Sequence, residues 1–156
     1  MFDAPVDAWY TWVGVATVSL AVFGVVLGLP AVAPPDAATL AETVDSVASS
    51  PYEASATVEV RAERLRLGST AVVLRNREGT SHATFAYAPV VPVVNSTLLG
   101  AVVDGRPPHR VFDSKVAFRT ALDRARNRPA RWRDAPPELT VRRVTWEGIN
   151  GTLVGA

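Results

Sequence analysis

At 156 residues and 16.6 kDa the chain is about one domain long, yet the 28 residues from Ala8 to Pro35 contain no Asp, Glu, Lys or Arg. The mean hydropathy of +0.15 on 48% hydrophobic residues is therefore concentrated in that run, and the 121 residues after Pro35 suffice for one modest core, which excludes a wholly soluble enzyme, a multi-domain protein and a polytopic transporter. The net charge of +1 divides into −2 before Asp36 (Asp3, Asp7) and +3 from Asp36 onward (16 basic, 13 acidic), too mild for a nucleic-acid surface, and the absence of cysteine excludes a disulfide framework or thiolate metal site.

Residues 1–8 read as a short tail. Trp9 to Leu29 is 21 residues, about 31 Å as a helix, the thickness of a bilayer's hydrocarbon core. Trp9, Tyr10 and Trp12 sit at one end, as interfacial aromatics do, and Pro30, Pro34 and Pro35 close the other in a junction over 30–35. The expectation is a single-pass transmembrane helix. Ala31-Val32-Ala33 has the form of a signal-peptidase site, but Pro34 would become the first mature residue and the n-region is uncharged. A retained signal anchor is the better reading. Gly14, Thr17, Ala21, Gly24 and Gly28 recur at spacings of 3, 4, 3 and 4. Such a small-residue seam lets helix backbones approach in lipid, so the expected partners are the bilayer and other transmembrane helices, self or assembly subunits. Candidate N-glycosylation sequons at Asn95 and Asn150 favour an extracytoplasmic domain at the cell membrane.

From Asp36 to Ala156 the pattern is α+β. Asp36 is placed to cap a helix whose apolar face is Ala37, Leu40, Ala41, Val44 and Val47, ending before Pro51. Alternating runs follow at Ala54–Arg61, Arg64–Leu67, Thr70–Arg77 and Ser81–Ala88, with short turns between them, as in antiparallel hairpins. Pro89 and Pro92 put Val93-Val94 at a sheet edge or outside it. Ser96–Val103 reads as a short helix and Asp104–Pro108 as a loop. Asp113 or Ser114 caps a helix with Phe118, Ala121, Leu122 and Ala125 on one stripe and an Arg119–Asp123 pair on another. A final strand pair, Leu139–Trp146 and Ile149–Val154, turns at Glu147-Gly148. The expected unit is one α+β domain over 36–156: a small antiparallel sheet of about five strands with two or three helices on one face.

Chemistry-bearing patterns are sparse. His109 with Asp113-Ser114 is the nearest approach to a triad, and Asp113-Ser114 is better explained as a helix cap. His82 alternates with Thr84 and Ala86, consistent with a surface position. No glycine-rich phosphate loop, nucleophile elbow or paired-carboxylate motif is present, so neither enzyme activity nor a metal or cofactor is expected. The densest basic run, Arg124, Arg126, Arg128, Arg131 and Arg133 with Trp132, is a candidate patch for phosphate, as anionic lipid or, less in keeping with the charge, nucleic acid. A solvated helix end explains it equally simply. Arg142-Arg143 in the last strand pair sends one charge to each face of a sheet, which calls for a bulge or an interface.

Met1-Phe2-Asp3-Ala4-Pro5, Asp7-Ala8-Trp9-Tyr10, Pro34-Pro35-Asp36-Ala37, Arg110-Val111-Phe112-Asp113-Ser114 and Leu139-Thr140-Val141-Arg142-Arg143-Val144 resemble an uncharacterised family of small single-span membrane proteins from halophilic archaea. The resemblance implies association with pilus-type or secretion-type machinery and no catalytic residues. An apolar N-terminal helix leading into an α+β domain also looks like a pilin. With no basic leader or processing motif before the apolar run, an accessory subunit is expected rather than a core pilin.

Overall fold

The structure is a computed structural model that describes residues 12–19 and 35–155. The chain divides into two compact units, Met1–Ala33 and Pro34–Ala156. In the first, residues 12–19 are helical, with Trp12, Val13, Val15 and Val18 exposed. The Thr17 hydroxyl donates to the Val13 carbonyl at 2.8 Å, which satisfies it within its own helix. A Cβ on Gly14 would meet nothing within 4 Å. The tail 1–8, the remainder of the expected span, its seam residues Ala21, Gly24 and Gly28, and junction residues 30–34 lie outside the described residues. Among the described residues no helix is long and apolar enough to cross a membrane.

Asp36 caps the first helix of the second unit, as the sequence expects. The Asp36 carboxylate accepts from the Thr39 hydroxyl at 2.6 Å and from the N–H groups of Ala38 and Thr39 at 3.0 and 3.1 Å. These bonds, the Thr39 hydroxyl foremost, hold its pKa below the ordinary Asp value. They open helix α1, Ala37–Ser49. Strands β1 (Ala54–Glu59), β2 (Arg64–Leu67), β3 (Ala71–Asn76), β4 (Gly79–Thr84) and β5 (Val91–Val93) follow. Helices α2 (Leu98–Val103), α3 (Pro108–Val111) and α4 (Lys115–Arg126) precede β6 (Trp132–Asp134), β7 (Glu138–Trp146) and β8 (Ile149–Gly155).

The unit is α+β, but the single five-stranded antiparallel sheet is replaced by two four-stranded sheets among the described residues. Their orders are β1-β7-β8-β5 and β4-β3-β2-β6. All pairings are antiparallel except β5 with β8. Pro92 takes its place on β5 because that strand is a sheet edge, where a missing N–H costs no ladder bond. The β7–β8 hairpin turns through Glu147 (φ 45°) and Gly148 (φ 81°), the left-handed pair that matches strand twist in a two-residue turn.

Alternation along β7 makes the first sheet two-faced. Leu139 and Val141 join the inner face of the second sheet (Leu65, Leu67, Val72, Leu74) and α1 in one hydrophobic cluster. Val144 belongs to another, with β5, α2 and α4. Helices therefore lie on both faces of this sheet, not one. In the second cluster Phe118, fully buried, stacks obliquely with Phe112 and Trp146 at centroid distances of 5.3 and 5.8 Å.

Three local expectations are corrected. The loop expected over Asp104–Pro108 gives way at its last residue to α3, with Pro108 in the first turn, where no N–H is needed. Strand β4 stops at Thr84 instead of Ala88, because the Asp45 carboxylate takes the N–H groups of Ala86 and Tyr87, both at 3.0 Å. Asp123 pairs with Arg126 at 3.5 Å, not with Arg119. The Ser114 cap is as expected, its hydroxyl accepting from Ala117 N–H at 3.2 Å.

The Arg142-Arg143 pair causes no bulge; β7 and β8 stay in register through both. Each guanidinium ends one helix. Arg142 Nη1 donates to the Val102 carbonyl at 2.7 Å, at the C-terminus of α2. Arg143 Nη1 donates to the Ala48 carbonyl, at the C-terminus of α1 on the opposite face. A cation there meets carbonyls with no intrahelical partner and the negative end of the helix dipole.

Candidate functional site

The triad-like residues do not converge. Ser114 spends its hydroxyl on the α4 cap, His109 is exposed on α3, and no hydrogen bond links His109, Asp113 and Ser114 among the described residues. His82 is exposed on β4, across from Val73 of β3. No group of three or more His, Cys, Asp or Glu side chains among the described residues is arranged to hold a metal ion.

The basic run is divided by the fold. Its last residues are not a helix end: Trp132–Asp134 is β6, paired with β2, with Arg133 opposite Leu65. Alternation on this edge strand turns Arg133 toward the interior and leaves Trp132 partly exposed, where Arg75 of β3 lies over its ring at 5.6 Å. Arg128, Arg131 and Arg133 surround a cavity of about 430 Å³ whose apolar lining is Leu67, Pro92, Val94, Pro129 and Ala130. Burial, and then the charge of Arg128, press the Arg133 guanidinium below its usual pKa. Arg124 lines a smaller cavity of about 200 Å³ with α2 and β5 residues, and Arg128 borders both cavities.

Arg126 takes a third direction. It lines a cavity of about 410 Å³ together with Arg143, the end of α1 at Ala48-Ser49, the Tyr87–Pro89 segment and Asn150–Thr152 of β8. Sequence reasoning grouped Arg126 with its neighbours in the chain and left Arg143 out. The available signal was helical spacing: Arg126 lies four residues beyond Leu122, one step from the buried stripe.

The sequons differ in setting. Asn95 stands exposed on the turn before α2, tightly packed against Gly100, whose place no side chain could take because its Cβ would overlap the Asn95 carbonyl. Asn150 lies in β8, its side chain accepting from the Thr145 hydroxyl at 2.8 Å, and Thr152 of that sequon is buried.

Comparison with known proteins places one firm marker. A model of DUF7283, a family of unknown function, matches residues 3–144, so the chain belongs to that family. The match spans both the charge-free run and most of the α+β unit, ending within β7. No curated protein and no solved structure matches the chain.

Proposed function

We propose that this member of the DUF7283 family is a non-enzymatic, membrane-anchored interaction protein. In this reading Trp9–Leu29 spans the membrane as a retained signal anchor. The α+β unit stands on the extracytoplasmic side as an accessory subunit of an archaeal pilus- or secretion-type assembly. One observation carries the reading: among the described residues, every member of both hydrophobic clusters comes from Ala37 onward. Residues 12–19, the described part of the apolar run, belong to neither cluster, and the 21 uncharged residues Trp9–Leu29 have the length of a bilayer span. The seam Gly14, Thr17, Ala21, Gly24 and Gly28 is the surface at which the anchor meets other transmembrane helices. Purification of the full chain in mild detergent tests this. Integral-membrane subunits, or further copies of the chain, are expected to accompany the wild type and to be lost from Gly24→Ile. Recovery of a bare monomer from native membranes contradicts it.

A second reading is favoured by the cavity between Arg128, Arg131 and Arg133. Three guanidiniums around an apolar floor suit an anionic lipid headgroup with the start of its chain better than they suit nucleic acid. The unit over 34–156 would then float with vesicles rich in anionic lipid and not with zwitterionic ones, and Arg128→Glu with Arg131→Glu would abolish flotation. Flotation that ignores lipid charge contradicts this reading.

A further inference from the structure

We infer that the cavity between Arg126 and Arg143 is a binding site for a small oxyanion, a carboxylate or a phosphate. Two guanidiniums line it and, among the described residues, no Asp or Glu does. Neither arginine is satisfied by the protein. Arg143 places one of its five N–H groups on the Ala48 carbonyl. Arg126 reaches the Asp123 carboxylate only at 3.5 Å, and its Nε is buried without a hydrogen-bond partner. Buried N–H groups are almost always paired in folded proteins, so the orphan Nε leaves Arg126 short of acceptors, a deficit that an oxyanion or water at its guanidinium makes good. A guanidinium offers its Nε–H and Nη–H side by side, the fork that two oxygens of a carboxylate or phosphate accept.

The rest of the wall supplies neutral donors. Thr152 is 7% exposed and lies directly opposite Arg143 in the β7–β8 register, so both share one face of the sheet. Its neighbour strand β5 pairs only with Leu153–Gly155, which leaves the outer edge of β8 without a strand beside Asn150–Thr152, where it borders the cavity. Asp45, holding the N–H groups of Ala86 and Tyr87, fixes the segment that closes the opposite side. A space of about 410 Å³ exceeds a bare phosphate by several water volumes of roughly 30 Å³ each. The oxyanion is therefore the anchored end of a larger molecule or is accompanied by ordered water.

Calorimetric titration of the full chain in detergent tests the assignment, with sodium phosphate and sodium acetate in separate arms and ionic strength held by sodium chloride. Saturable binding is expected in at least one arm, and which arm responds identifies the oxyanion. Arg126→Gln should weaken it about tenfold or more, the loss of a charge-assisted bond. Arg126→Lys, which keeps the charge but not the fork, should fall between the two, and Arg128→Gln in the neighbouring cavity should leave binding unchanged. Both Arg126 variants are first checked for an unchanged unfolding transition without anion. Absence of saturable binding in both arms overturns the inference, as does binding that survives Arg126→Gln or that requires Arg128.

Discussion

On the helix over 12–19, Trp12, Val13, Val15 and Val18 all stand exposed, whereas in the α+β unit Leu, Val and Phe side chains from every part of the sequence disappear into two clusters. The two regions differ in what they do with their apolar side chains. Strand alternation and helix stripes in the α+β unit provide a partner for each apolar face: α1 and the second sheet for one side of the first sheet, α2 and α4 for the other. The N-terminal run has no polar face to set against solvent. In the proposed reading lipid takes the place of a packing partner for that run.

The contrast is broken most severely from within the α+β unit. Phe118→Ala removes a fully buried ring that touches both Phe112 and Trp146, and should cost about 3–5 kcal/mol in a denaturant titration of the unit. Next come the two adjacent arginines. Arg143→Ala frees the Ala48 carbonyl and should cost roughly 1–3 kcal/mol, whereas Arg142→Ala leaves the Val102 carbonyl to the Gly105 N–H at 3.1 Å and should cost less, about 1 kcal/mol. The two losses should add, because they act on opposite faces of the sheet. A strongly non-additive double variant would show that α1 and α2 are coupled through β7. Asp36 gives a smaller, pH-dependent effect. Its folded pKa is depressed, so its contribution is complete above the ordinary Asp pKa and is lost as pH falls through the folded value. Wild-type stability should therefore decline on acidification more steeply than that of Asp36→Asn. The smallest effect sharpens the comparison from the other side: Val15→Ala should leave the unfolding transition of the α+β unit within about 0.5 kcal/mol of wild type.

Much of the fold could be read locally. The Asp36 and Ser114 caps, the Leu40–Val44–Val47 and Phe118–Leu122–Ala125 stripes and the Glu147-Gly148 turn depend on neighbours in the chain, and each is where the pattern puts it. What escaped were decisions taken at long range. Nothing within 91–93 specifies a parallel partner at 153–155. Trp132–Asp134 becomes a strand only because Arg64–Leu67 offers it an edge. Phe85–Ala88 continues the alternation of β4, yet Asp45, more than 40 residues earlier, takes its backbone donors. The basic run is divided for the same reason. Five arginines adjacent in the chain are sent to three cavities, and the one that completes the Arg126 cavity, Arg143, comes from β7.

The difference between the two regions is tested most directly by alkaline carbonate extraction of membranes carrying either the full chain or residues 34–156. The account predicts that the full chain stays in the membrane pellet, while the shorter chain is recovered in the soluble fraction with a single cooperative unfolding transition. Release of the full chain by carbonate, or a 34–156 chain that cannot fold without the N-terminal run, would contradict it.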